Sequence, residues 1–187
     1  VALIVIRTIC RLSCGAGAPC ADLVNFGAVA VLQSMVKVYY NYVKDKTNMF
    51  TQVEIIRKDV ALAICSLSYS GDIRRIVREG AISCLVESSV SNDHVTQELV
   101  AIAFHNLATK EGNHPILVNG GVAEALIQLG RRARTVTTLR YVASSLCSYS
   151  MGENVRDMMS KTKCAKQLAT LYTLLKTMST DEVTPRY

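Results

Sequence analysis

The sequence predicts an all-α chain of stacked helical repeats, an α-solenoid, and three observations carry that prediction. Corresponding residues recur 40 positions apart, only helical signals lie between them, and the short helices stop at turn glycines. Ser66-Leu67-Ser68-Tyr69 leads on to Gly80-Ala81-Ile82; Asn106-Leu107-Ala108-Thr109 leads on to Gly120-Gly121-Val122; and Leu146-Cys147-Ser148-Tyr149 opens the pattern a third time. Leu67, Leu107 and Cys147 are equivalent in this reading, as are Gly80 and Gly120. Leu12 leads to Gly27-Ala28-Val29 in the same way but lies 55 positions before Leu67, so the first full unit carries an insertion. A period of about 40 to 47 with helical signals throughout marks two- or three-helix units. Such units bury their apolar faces only against one another, which makes the array elongated and its long side the functional surface.

The elements follow in order. One array is expected over residues 1–180, in units of roughly 1–36, 53–90, 93–130 and 135–178, followed by a tail at 181–187. Ser13 to Pro19 is a glycine-rich turn, and the insertion near 37–52 interleaves Tyr39, Tyr40 and Tyr42 with Lys37, Lys44 and Lys46. It either extends the helix before it or forms a surface loop; tyrosine there offers amphipathic contact area. In the second unit a long helix runs from about Val53 to Ser68, and Asp72 caps a short helix through Ile73, Ile76 and Val77. An Asp carboxylate in that place accepts from unpaired backbone amides. Gly80 ends the short helix in a left-handed turn, and a third helix follows from Ala81 to about Val90. Asp93 caps the next long helix, Val95 to Ala108, and Pro115 opens a short helix at Ile116-Leu117-Val118, where its missing N–H costs nothing. The last unit has a long helix from about Val136 to Ser148, a short one near Val155 to Met159 and a final one from about Ala165 to Met178. Lys163-Cys164 stands there in place of the glycine turn.

Composition sets the class. Half of the 187 residues are hydrophobic and 19% are charged, so the chain has enough apolar surface to fold rather than stay disordered. Val1 to Ile6 is interrupted by Arg7, and Leu23 to Val36 contains Asn25, Gln33 and Ser34, so neither run reaches the roughly 18 apolar residues of a membrane helix. A chain without a membrane span, in the cytoplasm or nucleus, is the expectation. Seven cysteines, an odd number set beside Ile, Leu and Ala, read as buried thiols of a reducing compartment. The start lacks a methionine and falls inside a repeat, so a piece of a longer protein is expected; it has no basic leader or cleavage site of a signal peptide. The net charge of +6 permits an anionic partner without demanding one.

Val77-Arg78-Glu79-Gly80-Ala81-Ile82 and Val118-Asn119-Gly120-Gly121-Val122, each preceded by Leu67-Ser68 or Asn106-Leu107-Ala108 at the end of a long helix, resemble armadillo repeats over nearly the whole chain. The resemblance implies a right-handed α-solenoid of about four armadillo-like three-helix repeats, the first and last incomplete or degenerate. It also implies a non-catalytic scaffold that binds an extended peptide or partner protein along a concave groove, without a cofactor, as part of a larger assembly. Members serve adhesion, transport, ubiquitin-linked, ciliary and cytoskeletal assemblies. The groove is not importin-alpha-like. The position of that subgroup's asparagine holds Arg11, Ser66, Asn106 and Leu146, and that of its tryptophan holds Arg7, Leu62, Ile102 and Val142.

Residues four apart on a helix share a face, so this alignment predicts the partner-binding stripe. It comprises Arg7 and Arg11; Lys58, Leu62 and Ser66; Glu98, Ile102 and Asn106; and Thr138, Val142 and Leu146. The stripe is basic at its amino-terminal end and apolar at the other, which suits a partner with an acidic segment followed by apolar anchors. Leu62, Ile102 and Val142 are equally well read as packing between repeats.

No catalytic or metal site is expected. His94, His105 and His114 are spread over a helix start, a helix end and a turn, and no Cys-x-x-Cys or His-x-x-x-His occurs. Cys65 and His105 occupy equivalent places in adjacent units, about 10 Å apart for packed helices, too far for proton transfer. Gly15-Ala16-Gly17-Ala18 lacks the lysine and strand of a phosphate loop. Arg74, Arg75 and Arg78, and Arg131, Arg132 and Arg134, are the densest basic groups. They carry the competing reading, a nucleic-acid or anionic-membrane binder, although a solvated edge accounts for them more simply.

Overall fold

The computed structural model describes residues 1–15, 17–43, 49–70 and 72–150. The expected helices near Val155 to Met159 and Ala165 to Met178, the Lys163-Cys164 corner and the 181–187 tail lie outside the described residues. Among the described residues every regular element is helical, so the chain is all-α. In order these are α1 (Ala2–Ser13), α2 (Cys20–Asn25), α3 (Ala28–Val43), α4 (Phe50–Ser70), α5 (Ile73–Arg78), α6 (Ala81–Ser88), α7 (His94–Ala108), α8 (His114–Asn119), α9 (Val122–Arg132) and α10 (Val136–Ser150). A 3-10 turn, Glu111–Asn113, leads into α8.

The local signals act as their chemistry dictates. Asp72 accepts from the Arg74 and Arg75 amides at 3.0 and 3.4 Å, satisfying donors that have no partner inside α5. Asp93 accepts from the Thr96 amide at 3.0 Å and its hydroxyl at 2.8 Å, starting α7. Pro115 sits in the first turn of α8. The insertion extends the preceding helix: α3 runs on to Val43, twice the length of α6.

The long helices α1, α4, α7 and α10 pack in succession, and α3 and α6 lie against α1 and α4 and against each other. One apolar core runs through them, including Ile6, Leu32, Ile64, Phe104, Leu126 and Tyr149. Each fully buried side chain of this size contributes about 1.5–3 kcal/mol.

Burial corrects the repeat alignment. From α4 to α7 the interval is 40, with Val60, Ile64 and Leu67 answering to Val100, Phe104 and Leu107, all buried. One residue is gained in the turn after α7, so Ile76, Leu85 and Gly80 answer to Leu117, Leu126 and Gly121, 41 positions on. Gly80 and Gly121 are the left-handed pair, at φ 100° and 77°; Gly120, at −77°, is not the counterpart of Gly80. A second residue gained after α9 makes the α7-to-α10 interval 42. Val100, Phe104 and Leu107 then answer to Val142, Leu146 and Tyr149, and Cys147 is exposed rather than equivalent to Leu107. At the other end the interval is 54, because Ile6, Cys10 and Ser13 are buried in the places of Val60, Ile64 and Leu67. The physical weight of these one- and two-residue slips is large, since each residue turns a helix by about 100°.

Candidate binding surface

The structure brings the middle of the expected stripe together and displaces both ends. Lys58 is exposed and Leu62, Ser66, Glu98, Ile102 and Asn106 are half-buried along adjacent faces of α4 and α7. Thr138, Val142 and Leu146 are buried, with Val142 at 0% exposure, so these three pack inside and do not line a surface. At an interval of 42 the positions of Glu98, Ile102 and Asn106 fall on Arg140, Ser144 and Ser148, the first exposed and the others half-buried. Arg7 and Arg11 are exposed, but at an interval of 54 they answer to Ala61 and Cys65, on the side of α1 turned towards α4. The places of Lys58, Leu62 and Ser66 are held instead by Ile4, Thr8 and Leu12, all exposed.

These corrections alter the electrostatics. Arg7 Nε donates to Asp59 Oδ2 at 3.3 Å, so its charge is answered within the fold. Lys58 Nζ lies 3.8 Å from Asp93 Oδ2. Burial pushes the Asp93 carboxyl up, but hydrogen bonds from the Thr96 hydroxyl and amide, with Lys58 and His94 nearby, hold it below the usual carboxylate range. The expected basic-then-apolar gradient therefore gives way to a half-buried apolar centre, Leu62 and Ile102, with an exposed cation at Arg140.

Across the seams between long helices the side chains are hydrogen-bonded. The Cys14 thiol and the Ser66 hydroxyl are 3.5 Å apart, and Asn106 Nδ2 donates to Ser68 Oγ at 2.9 Å. Below Lys58, Arg57 bonds Glu54, and the Ser91 hydroxyl donates to the other Glu54 oxygen, tying α4 to the turn before α7. Sequence reasoning missed this joint, because Glu54 and Ser91 are 37 positions apart and belong to no motif.

The three histidines do not meet. His94 is exposed at the start of α7, His105 leans on Tyr141 with ring centroids 5.5 Å apart, and buried His114 bonds the Ala108 carbonyl at 2.7 Å through Nε2. Among the described residues no group of three or more His, Cys, Asp or Glu is placed to hold a metal ion. Cys65 is buried, and desolvation with the neighbouring Cys14 pushes its thiol up to about 11, which keeps it a neutral packing group. Of the arginine groups, Arg75 is paired with Glu79 at 2.6 Å, and Arg132 donates to the Ser89 and Val90 carbonyls at 2.8 and 3.1 Å. Arg78 Nε also donates to the Arg74 carbonyl at 3.4 Å, so at least three of these six guanidiniums bond within the fold. No described helix is long and apolar enough to cross a membrane.

Fold and surface together define an all-α chain of recurring helix sets with a half-exposed stripe along its long helices. Comparison with protein-family models, with curated proteins and with solved structures finds no match.

Proposed function

We propose that this chain is a non-catalytic scaffold, an armadillo-type α-solenoid that binds an extended segment of a partner protein across α1, α4, α7 and α10. The observation that carries the reading is the stripe in which Leu62 and Ser66 on α4 stand at the places of Ile102 and Asn106 on α7, all four half-exposed. Extended surfaces along a repeat array take extended partners. The apolar centre suits apolar anchors, and exposed Arg140 at the stripe position on α10 suits an acidic residue beside them.

The test is affinity capture with the 187-residue chain, followed by binding measurements on the recovered partner. Leu62→Asp with Ile102→Asp weakens capture by roughly tenfold or more while helicity persists. A partner that binds this variant unchanged overturns the reading. Tight binding to duplex DNA or single-stranded RNA that collapses with rising salt would favour the arginine clusters instead.

A further inference from the structure

We infer that Thr135, in the turn between α9 and α10, is a phosphorylation site for an arginine-directed kinase. Arg131, Arg132 and Arg134 precede it by four, three and one residues. From residue 125 to residue 152 the chain has four arginines and no Asp or Glu, so the acceptor lies in its longest stretch without a carboxylate. Protein kinases choose acceptors by the charge pattern beside them, and a cleft lined with carboxylates matches this one.

The turn also has the shape of an acceptor segment. Ala133 is extended (φ −60°, ψ 134°), Arg131 and Arg134 are exposed, Thr135 is half-exposed, and Val136 after it is 46% exposed. Presenting the hydroxyl therefore needs only two helix ends to loosen, which are the places where helices open most readily. Thr137 is exposed too and follows Arg134 by three residues. Buried Thr138 and Leu139 come directly after it, however, so its use would unwind α10.

The preceding repeat shows that this place takes negative charge. At the interval of 42, Thr135 answers to Asp93 and Thr138 to Thr96. Asp93 Oδ2 accepts from the Thr96 amide at 3.0 Å and its hydroxyl at 2.8 Å; Thr135 Oγ1 accepts from the Thr138 amide at 3.2 Å and lies 2.8 Å from its hydroxyl. One cap is a carboxylate and the other a neutral hydroxyl in the same geometry. Lys58 of α4 stands 3.8 Å from Asp93, whereas its place on α7 is held by Glu98. The neutral threonine spares α10 a second negative charge beside Glu98. A phosphate adds about two negative charges there, with Arg131 and Arg134 on the same turn to answer them. In the transfer Thr135 Oγ1 bonds the γ-phosphorus of ATP, the bridging β,γ oxygen leaves on ADP with its electron pair, and the hydroxyl proton passes to the kinase's catalytic aspartate. The consequence for binding rests on the proposed stripe: the added charge turns acidic partner residues away from Arg140.

Incubating the folded 187-residue chain with a purified arginine-directed serine/threonine kinase and magnesium ATP, followed by peptide mapping, tests the inference. The expected result is phosphate at Thr135, absent from Thr135→Val and retained in Thr137→Val. Arg131→Gln with Arg134→Gln, both at exposed positions, lowers the initial rate at least about tenfold at unchanged helicity. A wild-type chain that takes up no phosphate, or takes it at Thr137 or elsewhere instead, overturns the inference, as does full-rate modification without the two arginines. None of these readouts uses a partner protein, so their failure is distinct from a failure of the stripe.

Discussion

Asn106 on α7 donates its side-chain amide to the Ser68 hydroxyl on α4 at 2.9 Å, and Ser68 in turn donates to the Cys65 carbonyl at 2.6 Å. The seam between two long helices is thus closed by a short relay of neutral hydrogen bonds. A neutral bond of this kind contributes about 1 kcal/mol net. Asn106→Ala is expected to lower stability by about that amount, and a cycle with Ser68→Ala should return a coupling of similar size. Strictly additive losses in urea unfolding would mean that the relay does not hold the seam.

Leu146 and Cys147 decide between the two alignments of the last described helix. Leu146 is buried and Cys147 exposed. Leu146→Ala should cost about 2–5 kcal/mol, whereas Cys147→Ala should stay within about 0.5 kcal/mol. The reverse order would restore the 40-residue interval that makes Cys147 equivalent to the buried Leu107.

Much of the fold was legible where a single residue carries the signal. Asp72, Asp93 and Gly80 mark helix ends by local hydrogen bonding and backbone conformation, and they act where the sequence places them. The faces of α1 and α10 were not legible, because they depend on counting across turns. The turns after α7 and α9 each gain a residue, and no local motif records such a gain. Two gains rotate α10 by about 200°, which turned Thr138, Val142 and Leu146 from expected surface to core. Leu62 and Ser66 share a face with Ile102 and Asn106, as the alignment placed them, because the α4-to-α7 interval really is 40. The sequence also left Arg7 as an open cation, since nothing in it announces that Asp59 reaches back across 52 positions.

Asp93 links the start of α7 to pH. Its carboxyl is depressed in the folded chain, so its contribution is full above the unfolded value near 3.9 and is lost as pH falls through the lower folded value. Asp93→Ala should cost about 1 kcal/mol at neutral pH. The difference from wild type should narrow in urea melts below about pH 4. A gap that is constant with pH would assign the loss to packing rather than to the cap.

Gly120 and Gly121 should respond to alanine for different reasons. Gly121 is left-handed with open space around its Cβ position, so Gly121→Ala carries only backbone strain of about 1–2 kcal/mol. Gly120 has ordinary backbone angles, but a Cβ there would lie 2.6 Å from Ile82 Cγ2 and 3.2 Å from the Ile116 carbonyl. Its loss should therefore be partly recovered by trimming the neighbour with Ile82→Ala, a rescue that Gly121→Ala should not show. Equal behaviour of the two variants would remove the close approach of α6 to the turn before α9.

The thiols supply a map of burial that needs no mutation. Burial first, and neighbouring thiol or carboxylate groups after it, push Cys10 and Cys84 up to about 12, and Cys65, beside Cys14, up to about 11. Only thiolate reacts, so among the described cysteines alkylation at mildly alkaline pH followed by peptide mapping should label exposed Cys147 first and half-buried Cys14 next. Cys10, Cys20, Cys65 and Cys84 are buried and should label only on unfolding. The same shifts set a sign for stability: a raised folded value leaves stability intact below the ordinary thiol range, near 8.5, and erodes it as pH climbs towards the folded values. Denaturation midpoints should accordingly fall between about pH 9 and 11 and recover in a Cys84→Ala, Cys65→Ala background, measured against that background's own value at neutral pH. Native labelling of Cys84 as fast as Cys147 would contradict the packing of α6 against α3 and α4.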